Sequence, residues 1–216
     1  MKKICLFDLD GTLTDPKEGM VKAVAHALAH FGIKVENPDE LIKFIGPPLW
    51  DSFGEFYNFT KEETKQAVAK YREYYFDKGM YENYVYPGII DILDELQSKG
   101  IELLIATSKP IFTAQKIAEH FGFSIYFSLI AGSELDGSRS KKSEVINYAL
   151  NIADPQRQKT AIMLGDRKYD IIGAKETGIT SVGVLWGYGT RAELEEAGAG
   201  YIVKSPGEIT KIALSY

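Results

Sequence analysis

Short apolar runs rich in β-branched residues alternate with longer helix-like stretches along this chain. Strands that alternate with helices from residue 88 onward predict crossover connections, and therefore an α/β fold with a parallel sheet. The predicted strands are Ile4 to Phe7, Glu102 to Ala106, a weaker Ile125 to Ala131, Ala161 to Leu164, Ser181 to Leu185 and Tyr201 to Val203. The predicted helices between them are Ile89 to Ser98, Pro110 to Phe121, Lys142 to Leu150, Lys168 to Thr177 and Ala192 to Ala197.

One region interrupts this alternation. Residues 17–84 contain no strand signal and many aromatic residues at spacings that suit a helical bundle. The helices predicted there are Glu18 to Phe31, Asp39 to Ile45, Leu49 to Tyr57 and Lys61 to Lys78. We therefore predict a helical insert, residues 17–84, within an α/β domain formed by residues 1–16 and 85–216, with hinges near Asp15-Pro16 and Tyr86-Pro87-Gly88.

Polar side chains follow several predicted strands directly. Asp8 and Asp10 follow the first strand, Thr107 and Ser108 the second, and Asp166 the fourth, while Lys142 opens the helix before that strand. Ligands of an open parallel sheet bind at the carboxyl ends of its strands. The sequence therefore predicts a site at this edge of the sheet.

Neighbouring carboxylates repel one another, and a hard cation such as Mg²⁺ relieves that repulsion. Asp8 and Asp166 can each give one oxygen to such a metal, and the backbone carbonyl of Asp10 can give a third. The chain has a single cysteine, Cys5, and three histidines. The absence of a cysteine cluster or a histidine-rich loop argues against a site for a soft metal.

The same residues can carry out phosphoryl transfer. A free oxygen of Asp8 can attack phosphorus to form an aspartyl-phosphate, and Asp10 can protonate the leaving oxygen and later activate water. Lys142 can neutralise the phosphate oxygens, to which the Thr107 hydroxyl and the amides near Leu9 and Ser108 can donate. Gly11 lets the chain turn beside the phosphate without a Cβ.

The motifs on these strands resemble those of the haloacid dehalogenase-like phosphatase superfamily. The first is Asp8-Leu9-Asp10-Gly11-Thr12, the second Thr107-Ser108-Lys109-Pro110, the third a lysine, and the fourth Gly165-Asp166-Arg167-Lys168-Tyr169-Asp170. They occur in family order, and the later Gly183-Val184-Leu185-Trp186-Gly187-Tyr188-Gly189 is similar to the phosphoglycolate phosphatase-like branch.

This resemblance implies a Rossmann-like three-layer core, with the insert forming a cap that closes over the substrate. It implies that Asp8 is the nucleophile, that Asp10 is the acid and base, and that Asp166 binds the metal. Asp170 would then lie behind the metal ligands or reach the metal through water.

The third motif departs from the Lys-Pro of many relatives, because the chain reads Ser140-Lys141-Lys142-Ser143. Lys142 is the preferred phosphate-binding lysine since it directly precedes a predicted helix, and Lys141 stays open as the alternative. Gly46, Trp50 and Lys109 are candidate substrate-binding residues, although Lys109 can equally face solvent. His26 and His30 have the i, i+4 spacing of zinc ligands without a third ligand, so a structural or exposed pair is expected.

The predicted function is a Mg²⁺-dependent hydrolase of a small phosphorylated metabolite, similar to phosphoglycolate phosphatase. The alternatives are a 5′-nucleotidase, a sugar-phosphate phosphatase, a phosphomutase and a non-catalytic phosphate sensor. The net charge of −5 excludes a broad basic surface for a nucleic acid polymer or a membrane. No stretch approaches the roughly 20 apolar residues of a membrane span, and a cytoplasmic protein is expected.

Overall fold

A six-stranded parallel sheet organises the larger of two units into which the chain divides. The computed structural model describes residues 3–215, apart from the side chain of Arg157. One unit contains the chain up to Asp15 and from Val85 onward, and the other is Pro16–Tyr84. The strands are β1 (Ile4–Phe7), β2 (Thr14–Asp15), β3 (Tyr84–Val85), β4 (Glu102–Pro110), β5 (Leu129–Ser133), β6 (Ala161–Gly165), β7 (Thr180–Val184) and β8 (Tyr201–Val203).

The helices account for the rest of the regular structure. In chain order they are α1 (Lys17–His30), α2 (Leu49–Tyr57), α3 (Lys61–Tyr74), α4 (Ile89–Ser98), α5 (Ile111–His120), α6 (Lys142–Ala153), α7 (Lys168–Glu176), α8 (Arg191–Ala197) and α9 (Ile209–Ser215). Short 3₁₀ segments occupy Pro38–Phe44, Ser124–Tyr126, Pro155–Thr160 and Pro206–Glu208, and a π-helical segment, Tyr75–Gly79, follows α3. Within residues 3–215, no helix is both long and apolar enough to cross a bilayer.

The first strand of the chain lies in the middle of the sheet. The strand order is β5-β4-β1-β6-β7-β8, and β2 pairs with β3 in a separate two-stranded sheet. Phe7, the last residue of β1, lies opposite Ile105 of β4 and Leu164 of β6. The residues that follow Phe7, Ile105 and Leu164 therefore lie side by side towards one edge of the sheet. These observations confirm the predicted α/β fold with a parallel sheet.

Side-chain alternation along the strands builds the core of this unit. Alternate residues of β1, Ile4 and Leu6, belong to a buried cluster with residues of β4 and β6 on the same sheet face and with Val145 and Ile146 of α6. Cys5 and Phe7 are also buried, because successive residues of a strand point to opposite faces. A central strand that is apolar throughout is typical of a parallel sheet covered on both sides.

The helical unit has an aromatic core of its own. Phe44 is fully buried and lies 5.1 Å from Phe53 and 5.2 Å from Phe56, measured between ring centroids. Thr60 and Glu63 form a capping box that starts α3, which satisfies amide donors in the first turn. These rings supply the apolar contacts that a three-helix unit of this size needs.

Several predicted boundaries were wrong. The helix predicted over Asp39 to Ile45 is a 3₁₀ segment, since Pro47 and Pro48 prevent a longer helix.

The weaker strand begins at Leu129, because the preceding apolar residues form a 3₁₀ turn in which Ile125 is 78% exposed. β4 continues past the predicted end to Pro110, after a break in its register with β5. The helix predicted to end at Lys78 ends at Tyr74 and continues as the π-helical segment.

Candidate active site

The nucleophile candidate Asp8 lies at the centre of the strand edge. Its backbone N–H donates to the carbonyl of Leu164 at 2.9 Å, which continues the pairing between β1 and β6. Asp166 comes directly after β6 and is fully buried, and Asp170 lies in the first turn of α7 and is also buried. One oxygen from each of Asp8, Asp166 and Asp170 lies within 4.8 Å of the others. Three strand-end and helix-start positions thus bring three carboxylates together.

Lys142 neutralises two of these acids. Its Nζ lies 2.8 Å from Asp8 Oδ1 and 2.9 Å from Asp170 Oδ1, and it donates to the carbonyl of Ala106 at 3.2 Å. Burial lowers the pKa of Lys142, but the two carboxylates more than offset this and hold it above its ordinary value. Lys141 is exposed at the N-cap of α6. The geometry therefore favours Lys142 over Lys141 as the lysine of the third motif.

Lys109 lies in the site and does not face solvent. Its Nζ lies 2.6 Å from Asp10 Oδ2, and both side chains are buried. Burial raises the pKa of Asp10, and the charge of Lys109 opposes that rise. Thr107 is buried beside it, and its Oγ1 accepts from the Lys109 N–H at 3.2 Å. Ser108 is partly exposed, and its carbonyl accepts from the Ser133 hydroxyl.

Asp166 accepts hydrogen bonds, and within residues 3–215 it forms no ion pair with a lysine. The Tyr188 N–H donates to Asp166 Oδ2 at 2.8 Å, and the Thr12 hydroxyl lies 3.4 Å from Oδ1. Burial raises the pKa of Asp166 well above its usual range, and the neighbouring Asp170 charge raises it further. Asp170 accepts from the Arg167 N–H at 3.1 Å, and burial raises its pKa while Lys142 lowers it.

The charges of this site do not balance. Four buried carboxylates, those of Asp8, Asp10, Asp166 and Asp170, face two buried ammonium groups, so the fully ionised site carries two excess negative charges. A divalent cation would compensate them, and oxygen donors of this kind are what Mg²⁺ prefers. The residues present therefore fit a hard divalent metal ion.

Two glycines allow the chain to approach these acids closely. Gly11 has a φ of +81°, and a Cβ there would lie 2.3 Å from Asp166 Oδ2. A Cβ at Gly187 would lie 2.2 Å from the Gly11 carbonyl and 2.4 Å from the Asp166 Cβ. Only glycine fits at either position without displacing backbone or the carboxylate.

The loop 186–189 makes contacts with the site that the sequence did not predict. The Trp186 indole donates to the Thr12 carbonyl at 2.9 Å, and the Tyr188 hydroxyl donates to Asp15. Burial, followed by this hydrogen bond, raises the pKa of Tyr188. The run 183–189 resembles the phosphoglycolate phosphatase-like branch, and its glycines beside a polar aromatic residue are the sequence signal for these close contacts.

The remaining candidates are one residue of the turn after β1 and two residues of the helical unit. Leu9 is buried in the turn after β1, where its carbonyl accepts from the Leu13 N–H at 2.9 Å. Gly46 and Trp50 belong to the helical unit. The guanidinium of Arg72 lies over Trp50, with its Cζ 5.6 Å from the centre of the Trp50 ring.

His26 pairs with Glu73 at 3.6 Å on an exposed face, and the described residues supply no further metal-binding group there.

Comparison with known proteins identifies the family. The model of the haloacid dehalogenase-like hydrolases matches residues 5–184. The protein belongs to this family. Its predicted family and its predicted class, a phosphatase, are thereby confirmed, in agreement with the relatives that follow.

Three relatives are close in sequence or structure. A 5′-nucleotidase of Pseudomonas aeruginosa is 44% identical over 189 residues, which are 88% of this chain and 85% of that protein. The tyrosine-protein kinase PtkA of Mycobacterium tuberculosis is 38% identical over 87% of this chain and 63% of its own length. The crystal structure of a predicted phosphatase from Clostridium acetobutylicum has a TM-score of 0.95 at 46% identity and covers 100% of both chains.

Proposed function

We propose that this haloacid dehalogenase-like phosphatase is a Mg²⁺-dependent phosphomonoester hydrolase that acts on a small phosphorylated metabolite through an aspartyl-phosphate on Asp8. The observation that carries the proposal is the buried group of four carboxylates and two lysines at the carboxyl ends of β1, β4 and β6. A purely structural role does not account for this group, because buried charges destabilise a fold in comparison with apolar side chains of similar size.

The carboxylates of Asp8 and Asp166 and the backbone carbonyl of Asp10 are the proposed ligands of the metal, with Asp170 acting behind them or through water. When bound, Mg²⁺ supplies positive charge that holds the phosphate and offsets the repulsion between the acids. The proximity of Asp8, Asp166 and Asp170 supports this assignment.

Asp8 is the proposed nucleophile. One of its oxygens forms a bond to phosphorus as the bond to the leaving oxygen breaks, and Asp10 gives that oxygen a proton. Asp10 then takes a proton from the water that attacks the aspartyl-phosphate, which releases inorganic phosphate and restores Asp8. Lys142 keeps the Asp8 carboxylate oriented through its contact at 2.8 Å and offers its charge to the phosphate oxygens.

Phosphate binding is assigned to Thr107, Ser108 and the turn at Leu9 and Gly11. Thr107 lies in β4, two residues beyond Ile105, which pairs with Phe7 at the end of β1. Gly11 lets the backbone of that turn pass close to the Asp166 carboxylate without a Cβ in the way. Gly46 and Trp50 of the helical unit remain the candidate determinants of the substrate.

A nucleoside 5′-monophosphate is the first substrate to test, because the relative with 44% identity is named a 5′-nucleotidase. Phosphoglycolate and sugar phosphates are the other candidates. A cytoplasmic location remains a prediction.

Transfer of the phosphoryl group to an acceptor other than water is the second candidate function. The relative named a tyrosine-protein kinase supports this alternative, as does the chemistry of the intermediate, since an aspartyl-phosphate can be attacked by a hydroxyl as well as by water. A phosphomutase is a special case of the same transfer. A phosphate sensor without catalysis would have no need of both Asp8 and Asp10.

The test is a panel of nucleoside 5′-monophosphates, phosphoglycolate and hexose phosphates, assayed for kcat/KM with Mg²⁺ and again after EDTA treatment. We expect release of inorganic phosphate that stops with EDTA and returns with added Mg²⁺. Turnover that survives complete chelation would contradict the metal assignment. Loss of substrate without release of phosphate, with an isomer or a phosphorylated acceptor as product, would favour transfer over hydrolysis.

A further inference from the structure

Lys109 forms a buried ion pair that the proposed reaction does not account for. The Lys109 Nζ lies 2.6 Å from Asp10 Oδ2, and the exposed fractions of the two side chains are 5% and 12%. The other oxygen of the same carboxylate, Asp10 Oδ1, is buried and has no hydrogen-bond partner within residues 3–215. The two oxygens of Asp10 are therefore in different environments.

The backbone around Lys109 is fixed on both sides. Its N–H donates to Thr107 Oγ1, and its carbonyl packs so closely on Gly132 that a Cβ there would lie 2.6 Å from the oxygen. The neighbouring Ser108 carbonyl accepts from the Ser133 hydroxyl at 2.8 Å. The lysine is thus attached to a firmly held segment of β4, and its ammonium group has a defined position.

We infer that Lys109 is a positioning residue for Asp10, which fixes the carboxyl group so that Oδ1 exchanges the proton with the leaving group. The ammonium group already occupies Oδ2, so a proton on this carboxyl resides on Oδ1. When this carboxyl carries a proton, a rotation that exchanged its two oxygens would turn the O–H towards the Lys109 ammonium group and break the ion pair. Geometry of this kind determines whether a general acid is effective.

This inference rests on the proposed hydrolase function and differs from a role in binding substrate. A lysine that binds phosphate assists every phosphate ester alike. A lysine that acts through the proton donor matters only when the leaving group needs a proton. Esters with a good leaving group, such as 4-nitrophenyl phosphate, need little protonation, whereas benzyl phosphate needs it strongly.

The test measures kcat/KM for 4-nitrophenyl phosphate, phenyl phosphate and benzyl phosphate in the wild type, Lys109→Met and Asp10→Asn. We expect Lys109→Met to lose about a hundredfold on benzyl phosphate but only a few-fold on 4-nitrophenyl phosphate, because general-acid catalysis contributes about 10²–10⁴. Asp10→Asn should show the same trend with a larger loss. Lys116→Met, which changes an exposed lysine of α5, is the matched control and should follow the wild type.

The double variant Asp10→Asn with Lys109→Met tests the inference even if Lys109→Met alone folds poorly. The double variant removes both charges of the pair and so leaves no unpaired carboxylate at position 10. If Lys109 acts through Asp10, the double variant has the activity of Asp10→Asn. A further loss in the double variant, or equal losses of Lys109→Met on all three esters together with weaker inhibition by inorganic phosphate, would overturn the inference in favour of direct phosphate binding.

Failure of the proposed function gives a different result. A wild-type protein that hydrolyses none of the three esters with Mg²⁺ would contradict the function itself. A wild type that hydrolyses all three, with variants that show no dependence on the leaving group, would contradict only the role of Lys109.

Discussion

The two units of this protein keep their charged side chains in different environments. In the sheet unit, Lys142 and Lys109 form ion pairs with acids at exposures of 12% or less. In the helical unit, the lysine pairs with acids leave at least one partner well exposed, as for Lys17 and Asp39, whose exposed fractions are 45% and 66%. Buried pairs are costly unless fully compensated, whereas exposed pairs contribute little.

The difference indicates what each unit contributes. In the sheet unit, the buried acids of the proposed active site repel one another, and the apolar strands contribute the stability that offsets this repulsion. The helical unit obtains its stability from an aromatic cluster, and its surface charges are replaceable. Four substitutions test this contrast, from the largest expected effect to the smallest.

Asp8→Asn should abolish activity and leave the fold intact. The amide cannot act as the nucleophile, so kcat/KM should fall at least about ten-thousandfold, which corresponds to about 5 kcal/mol in the barrier. The measurement is phosphate release from 4-nitrophenyl phosphate with Mg²⁺, alongside circular dichroism to verify folding. Asp8→Ala provides a second variant, and turnover near the wild-type level in both would refute the role of Asp8.

Phe44→Ala should destabilise the helical unit by about 3–5 kcal/mol, because it removes a fully buried ring from the aromatic cluster. Urea unfolding followed by aromatic fluorescence measures the change. Phe56→Ala is the matched control, since Phe56 contacts the same ring but is only partly buried, and it should cost less. Equal losses of unfolding free energy for the two variants would contradict the expectation that the more deeply buried ring contributes more.

Asp166→Asn should make the protein more stable and inactive. The amide removes a buried charge that no lysine pairs with among the described residues, while its oxygen can still accept from Tyr188. We expect the free energy of unfolding in EDTA to rise by about 1–2 kcal/mol. Wild-type protein should gain stability when Mg²⁺ is added, and the variant should not. A less stable variant in EDTA would indicate that repulsion at this site is already relieved without the metal.

Lys17→Ala should have the smallest effect. The pair of Lys17 and Asp39 spans 2.8 Å in a solvent-exposed position, so its loss should change the free energy of unfolding by less than about 1 kcal/mol. Urea unfolding at low and high salt provides the measurement. A loss comparable with that of Phe44→Ala would break the contrast between the units.

Much of the fold could be predicted because the apolar segments of the sequence are also the segments that the fold buries. The apolar runs ending in Asp8 and Asp166 are buried strands of a parallel sheet, and such strands need few polar residues before their carboxyl ends. Boundaries were less predictable where packing decides them. The π-helical segment after Tyr74 and the 3₁₀ turn around Ile125 have sequences compatible with regular elements.

The site was predictable because Asp8 and Asp166 directly follow strands and because Thr107 and Ser108 lie near the carboxyl end of β4. The environment of Lys109 was not, because its ion pair with Asp10 joins positions far apart in the sequence. Trp186 and Tyr188 were recognised as part of a family-like run, but their contacts with Thr12 and Asp166 depend on how the last loops fold back to β1. Hydrogen bonds between such distant residues leave no local periodic pattern.

The central position of β1 has a consequence for synthesis on the ribosome. This strand is made before the other strands of its sheet, yet its sheet partners are β4 and β6, so it has no strand to pair with in this sheet until residue 102 has been made. The whole of Pro16–Tyr84 is translated in the meantime. The nascent protein therefore carries an unpaired apolar strand until β4 has been made, and a helical unit with a core of its own can fold in that interval.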